Sequence, residues 1–197
     1  MRAEAQYSYE EKLHHYSGSA PEYKVKYILE NYGRFLRIVA AYELNWQIII
    51  NAERRYHEEE DKGHTGVRIQ MSGISDPTMK DAISNVEIQQ AQTKSDLQRI
   101  LKNTDDSDEH IEAKLTIQDM QDDYTILQNI IHTLGERDEE RLLRYLHREN
   151  EGLQTLADEC QMELSAYKKQ IYSLKKMVML SAVECIDLKY KIMQRKV

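Results

Sequence analysis

The sequence predicts an all-α protein: a long N-terminal helical bundle or coiled coil, followed by a C-terminal helix-turn-helix domain with an extended last helix. Three observations carry this. Breakers are scarce, with 2 Pro and 7 Gly in 197 residues, and a chain rich in Glu, Gln, Lys, Leu and Ile favours long helices. Apolar residues recur at spacings of three and four over long stretches, which is the period of one helix face. After Gly135 the elements become short and are divided by turn-like breaks. A hydrophobic content of 41% rules out a disordered chain, while 31% charged residues and a mean hydropathy of −0.72 imply a large solvated surface.

Residues 1–20 read as a flexible N-terminus: polar, Tyr-rich and closed by Ser17-Gly18-Ser19-Ala20-Pro21. Residues 21–134 form the long-helix region. Val25, Ile28, Tyr32, Phe35, Val39, Tyr42, Trp46 and Ile49 alternate by three and four, an a/d stripe that predicts one long amphipathic helix. Gly33 lies within it as a possible bend. The charged run Glu53 to Asp61 ends the helix, and a linker over 63–76 follows, with Asp76-Pro77 as a helix start. The next helix is expected from Thr78 to about Asn103. Thr104 to Asp108 then stops it and caps a third helix, whose stripe is Ile117, Met120, Tyr124, Leu127, Ile131 and Leu134, with Gly135 as its C′ residue. An intrachain bundle and a dimeric coiled coil would bury the same stripes, so both stay open.

Cys160 and Cys185 sit in apolar helical patterns with no second Cys or His at metal-ligand spacing, and read as buried small hydrophobes in a reducing compartment. No apolar run approaches the roughly 20 residues that span a bilayer. The first residues, MRAEAQYSYEEKLHHY, are too polar for a signal peptide. The expectation is a cytoplasmic protein with no membrane partner.

The formal net charge is −7, but it is unevenly spread. From Glu163 to Val197 eight basic residues face three acids, so the other 162 residues carry −12. An acidic body with a basic end suits contact with nucleic acid or another polyanion. A solvated helix end, where Lys is favoured by the helix dipole, has the same composition.

Residues 136–197 form the second domain. A helix from Asp138 to about Glu149 buries Leu142, Leu143 and Leu146; Asn150-Glu151-Gly152 breaks it; Leu153 to Cys160 makes two turns. A brief break at Gln161-Met162 leads into a last helix from Glu163 or Leu164 to near the C-terminus. A helix, a short second helix and a crossing third compose the tri-helical helix-turn-helix. Ala157 is small where the helices cross, and Leu153, Leu156, Cys160, Ile171 and Leu174 face inward. Ser165, Ala166, Lys168, Lys169 and Tyr172 are left on the outer side, where groove contact would occur. Lys175 and Lys176, one turn on, suit phosphates.

The pattern Leu153-x-x-Leu156-Ala157-x-Glu159-Cys160-x-Met162-x-x-Ser165-x-Tyr167-Lys168-x-x-Ile171-x-x-Leu174 resembles region 4 of sigma-70-type factors. The order of elements resembles the small sigma-like regulators of phages and prophages of Gram-positive bacteria, the ArpU/RinA kind. Gln161 stands where that motif usually holds Gly, and Glu163 where Ser or Thr usually caps the reading helix. The resemblance implies a DNA-binding transcription regulator that activates phage late genes. Double-stranded DNA is its expected partner, with RNA polymerase a further candidate and a homodimer as its form. The alternative is a helical protein-interaction module that uses the helix-turn-helix structurally. No Gly-rich phosphate loop, metal-ligand cluster or catalytic arrangement with supporting context occurs, so no enzyme activity, cofactor or metal is expected.

Overall fold

The computed structural model describes residues 9–64, 86, 93–102, 104–148 and 152–194. The fold is all-α. Its described helices are α1 (Tyr9–Ser17), α2 (Pro21–His64), α3 (Lys94–Ile100), α4 (Ser107–His132), α5 (Glu136–His147), α6 (Leu153–Glu159) and α7 (Leu164–Gln194). They fall into two compact units, one of Met1–His14 with Ala40–Ile117, the other of His15–Val39 with Gln118–Val197. The long helix α2 is divided between them, its residues 21–39 in one unit and 40–64 in the other.

The unit holding Ala40–Ile117 is built around Trp46, Ile50, Leu97, Leu101 and Ile111, all buried. The Trp46 Nε1–H donates to the His110 carbonyl at 2.9 Å, and the Lys114 ammonium lies 5.3 Å from the Trp46 ring centroid while pairing with Glu43. His110 Nε2 sits 3.0 Å from Glu53 Oε2, a further tie between α2 and α4. The short α3 is held at both ends. Thr93 accepts from the Asp96 N–H at 3.2 Å and Arg54 donates to the Ile100 carbonyl, so orphan groups at each terminus are met. Asp106 adopts a φ of 43° just before α4, a conformation that Asp tolerates better than most residues.

In the other unit Pro21 opens α2 at the first helical position, where its missing N–H costs nothing, and Glu22 complements the helix dipole. Val25, Ile28, Tyr32, Phe35 and Val39 are buried, as their spacing predicts. Further along α2 the stripe drifts: Trp46 and Ile50 are buried, while Tyr42 and Ile49 are only partly so. A straight helix repeats every 3.6 residues, so a strict 3.5 stripe rotates off the core after a few turns. Tyr124 of α4 stacks on Phe35 at 5.6 Å and meets Tyr32 at 5.2 Å. Gly33 lets α2 approach the end of α5, since a Cβ there would lie 3.4 Å from His147 Nδ1.

A buried polar cluster anchors the second half of α7. Asp123, fully inaccessible, accepts from Lys189 Nζ at 2.8 Å and from the Tyr16 and Tyr190 hydroxyls at 3.1 Å each. Asp119 pairs with the same lysine at 2.9 Å. Lys24, also buried, sits 3.8 Å over the Tyr190 ring, and burial pulls its ammonium below the usual lysine range against the pull of Asp123 and Asp119.

Several expectations are corrected. The N-terminus is not flexible throughout: residues 9–17 are helical, with Leu13 and Tyr16 buried, because the apolar i,i+3 pair finds cores to enter. The helix expected to end in the 53–61 charged run continues through Gly63 to His64, into the expected linker; one Gly lowers helix propensity without ending a helix. The rest of that linker, and most of the expected 78–103 helix, lies outside the described residues; its described end is α3, which starts after the Thr93 cap. Gly135 is not a left-handed C′ residue. It has φ −63° and ψ 145° and is the N-cap of α5. Cys160 is partly buried and Cys185 exposed, so neither is the core residue expected; both are free.

Candidate functional site

The site grows from an acidic helix start and two side-chain bridges between helices. Glu136, Asp138 and Glu139 put acids in the first turn of α5, where the helix dipole favours them. Gln170 of α7 then bridges α5, donating to Asp138 Oδ1 at 2.8 Å and accepting from Arg141 Nη1 at 3.2 Å. Arg144 of α5 pairs with Glu159 of α6. Leu142, Leu156, Ala157, Tyr167 and Ile171 fill the space between these helices.

The turn between α6 and α7 is a Schellman closure. Gln161 takes φ 54°, its N–H donates to the Asp158 carbonyl at 2.9 Å, and the Met162 N–H donates to the Ala157 carbonyl at 2.9 Å. Gln161 thus occupies the left-handed position that Gly fills at no steric penalty. Gln161→Gly is expected to stabilise the protein by about 0.5–1 kcal/mol in urea melts, since the left-handed conformation costs a non-Gly residue roughly 1–2 kcal/mol and Gly returns part of that as backbone entropy. A loss of stability would show instead that the Gln161 side chain makes a compensating contact. At the start of α7 the Glu163 carbonyl accepts from the Tyr167 N–H at 2.9 Å, and the Ser165 hydroxyl donates to the Glu163 carboxylate at 2.9 Å. An acid held at a helix N-terminus is favourable for α7, though it is an anion beside the expected reading face.

The first turns of α7 separate cleanly into faces. Tyr167, Ile171 and Leu174 point into the core, and burial, with Cys160 adding to it against Arg148 and Arg144, pushes the Tyr167 phenol up. Ser165, Ala166, Lys168, Lys169, Tyr172 and Lys176 are exposed, Tyr172 to 71%. Lys175 differs: it is half-buried, with its ammonium 5.4 Å from the Tyr145 ring centroid. The expected residues are therefore together on one helix, six on its open face and one on its flank. Comparison with known proteins gives no match. No family model, curated protein or solved structure answers to this chain, so the likeness to sigma region 4 is carried by the motif residues alone.

Beside this face lies a concave groove of about 510 Å³, lined from α2 by Lys26, Leu29 and Glu30, from α5 by Tyr145, from α6 by Leu153 and from α7 by Tyr167, Lys168, Ile171, Tyr172, Lys175, Lys176 and Met179. The α2 members, Tyr145 and Met179 are not among the residues the sequence singles out. Lys26 and Glu30 are an i,i+4 pair at 3.9 Å on an exposed face, which reads as ordinary helix surface, and no local signal links them to α7. Among the described residues no group of three or more His, Cys, Asp or Glu is placed to hold a metal ion, and no described helix is long and apolar enough to cross a membrane.

Proposed function

We propose that the chain is a non-enzymatic regulator of the phage transcription type that acts in the cytoplasm and binds double-stranded DNA through the first turns of α7. The observation that carries this is the exposed row Ser165, Lys169, Tyr172 and Lys176, with Lys168 at its edge, standing after a tight turn on a helix whose opposite side is core. Lys168 and Lys169 supply phosphate or base contacts, Ser165 and Tyr172 flank them, Ala166 allows close approach, and Lys175 and Lys176 set register on the backbone. The net −12 of residues 1–162 repels DNA and suits a protein partner, with RNA polymerase the candidate for an activator of late genes.

The test is a salt titration of binding to duplex DNA. Wild type should lose affinity log-linearly with salt, and Lys168→Glu/Lys169→Glu should flatten the slope by about 0.9 for each phosphate contact removed and abolish binding at physiological salt. Absence of binding by wild type at low salt would sink the reading. A protein-interaction role is favoured by one separate observation: Met177, Leu180, Leu188 and Ile192 leave apolar side chains exposed along the second half of α7. That face suits the homodimer, and light scattering should give a dimer at micromolar wild type and a monomer for Leu180→Glu/Leu188→Glu; a wild-type monomer would remove the dimer from the proposal.

A further inference from the structure

The groove beside α7 has a chemistry that DNA phosphates alone do not call for. Its floor is apolar: Leu29, Tyr167 and Ile171 are buried there and Leu153 is half-buried at one end. Its rim is cationic. Lys26 is engaged by Glu30 at 3.9 Å, which leaves Lys168, Lys175 and Lys176 without a carboxylate partner among the described residues. On one wall the Lys175 ammonium lies 5.4 Å from the Tyr145 ring centroid, so it stands against an aromatic face rather than a carboxylate.

Size decides between occupants. A helix about 10 Å across rising 5.4 Å per turn fills roughly 400 Å³ per turn, so the groove holds little more than one turn of a partner helix. Its volume of about 510 Å³ lies instead within the range of small-molecule sites, which are concave, mostly apolar and fixed by a few polar groups. We infer that the groove binds a small organic anion with an apolar body, the body on Leu29, Leu153 and Ile171 and the charge at Lys168, Lys175 and Lys176, with Lys26 on the α2 rim a weaker contact because Glu30 shares it. Because those lysines belong also to the face assigned to DNA, an occupied groove and bound DNA exclude each other. The exclusion rests on the DNA reading; the binding does not.

Two residues separate the readings. Lys26 lines the groove but belongs to α2, and Lys169 is on the exposed face of α7 but outside the groove. The probes are 8-anilino-1-naphthalenesulfonate and its uncharged parent N-phenyl-1-naphthylamine, titrated fluorimetrically into the full chain. The sulfonate should saturate one site and bind more tightly than the amine. Lys26→Glu should weaken it by about fivefold, as expected for one reversed charge at a partly exposed contact, and Leu153→Glu should abolish it. Lys169→Glu should leave it unchanged while weakening DNA binding. Circular dichroism confirms that each variant folds, and Lys26→Gln provides a milder variant if Lys26→Glu does not. Equal affinity for both probes, sulfonate binding indifferent to Lys26 and Leu153, or no saturable binding would each overturn the proposal. So would capture of an acidic amphipathic peptide by a groove that refuses the sulfonate. Sulfonate binding by a protein that ignores DNA would keep the groove and discard the DNA reading; sulfonate binding without competition against bound DNA would overturn the exclusion.

Discussion

Asp123→Ala is expected to cost about 3–5 kcal/mol of folding stability, the range for breaking a buried ion pair from one side. The carboxylate is the common acceptor of Lys189, Tyr16 and Tyr190 and is wholly inaccessible, so its removal takes one of two carboxylates from Lys189 and leaves the buried Tyr16 and half-buried Tyr190 hydroxyls without their acceptor. Asp119 still holds Lys189 at 2.9 Å, which keeps the loss inside that range rather than beyond it. Asp123→Asn preserves hydrogen-bonding capacity without the charge and should cost less. Urea melts followed by circular dichroism measure both. A loss below about 1 kcal/mol for Asp123→Ala, the level of an exposed pair, would show that solvent reaches the cluster.

The same cluster sets the alkaline limit. Burial first, then the charge of Asp123, pushes the Tyr16 and Tyr190 phenols far above the ordinary value of 10.0. In Lys189 burial pulls the ammonium down, but the hydrogen bonds and charges of Asp123 and Asp119 prevail and raise it. A raised group holds its proton when folded and releases it when unfolded. The stability from these three groups is therefore complete below pH 10 and falls as pH rises above it. Near-ultraviolet absorbance should show part of the 13 tyrosines ionising only as the chain unfolds. Ordinary titration of every tyrosine in a folded chain would contradict the enclosure of the Tyr16 and Tyr190 hydroxyls against Asp123.

Trp46→Ala should be comparably severe, at about 3–5 kcal/mol, through the cavity left by a large buried ring. The ring is 1% exposed, its Nε1–H donates to the His110 carbonyl, and Lys114, paired with Glu43, rests above it, so truncation also removes that hydrogen bond and the ring contact of a buried ammonium. Trp46→Phe keeps most of the packing and loses the indole donor, for an expected cost of about 0.5–1.5 kcal/mol from the lost hydrogen bond. Trp46 is the single tryptophan, so its fluorescence reports on the unit containing Ala40–Ile117, while circular dichroism averages over the helices. Wild-type transitions that coincide by both probes would mean that the units unfold together. Equal melts of Trp46→Ala and Trp46→Phe would show that the side-chain volume contributes nothing to this core.

The helical class, the stripe from Val25 to Val39, the short elements after Gly135 and the division of α7 into a core side and a lysine side are legible from composition and spacing. Each is a local property: a helix places residues three and four apart on one face whatever it packs against. The break at Gln161 is legible too, although its left-handed conformation is a fact of the fold, since an unfavourable residue is held there by the turn hydrogen bonds around it. Tertiary structure alone decided the rest. It brought Tyr16 to Asp123 across 107 residues of chain, converting an apparently loose terminus into a docked helix. It set Lys26 and Leu29 of α2 beside Lys168 and Ile171 of α7, although in sequence the first pair is unremarkable helix surface and core. It left Cys185 and Leu188 outside the core while burying Ile186, because only the face of α7 that carries Val178, Ala182 and Ile186 is covered. Periodicity tells which residues share a face; only packing determines which face finds a neighbour, and a binding groove is made of neighbours.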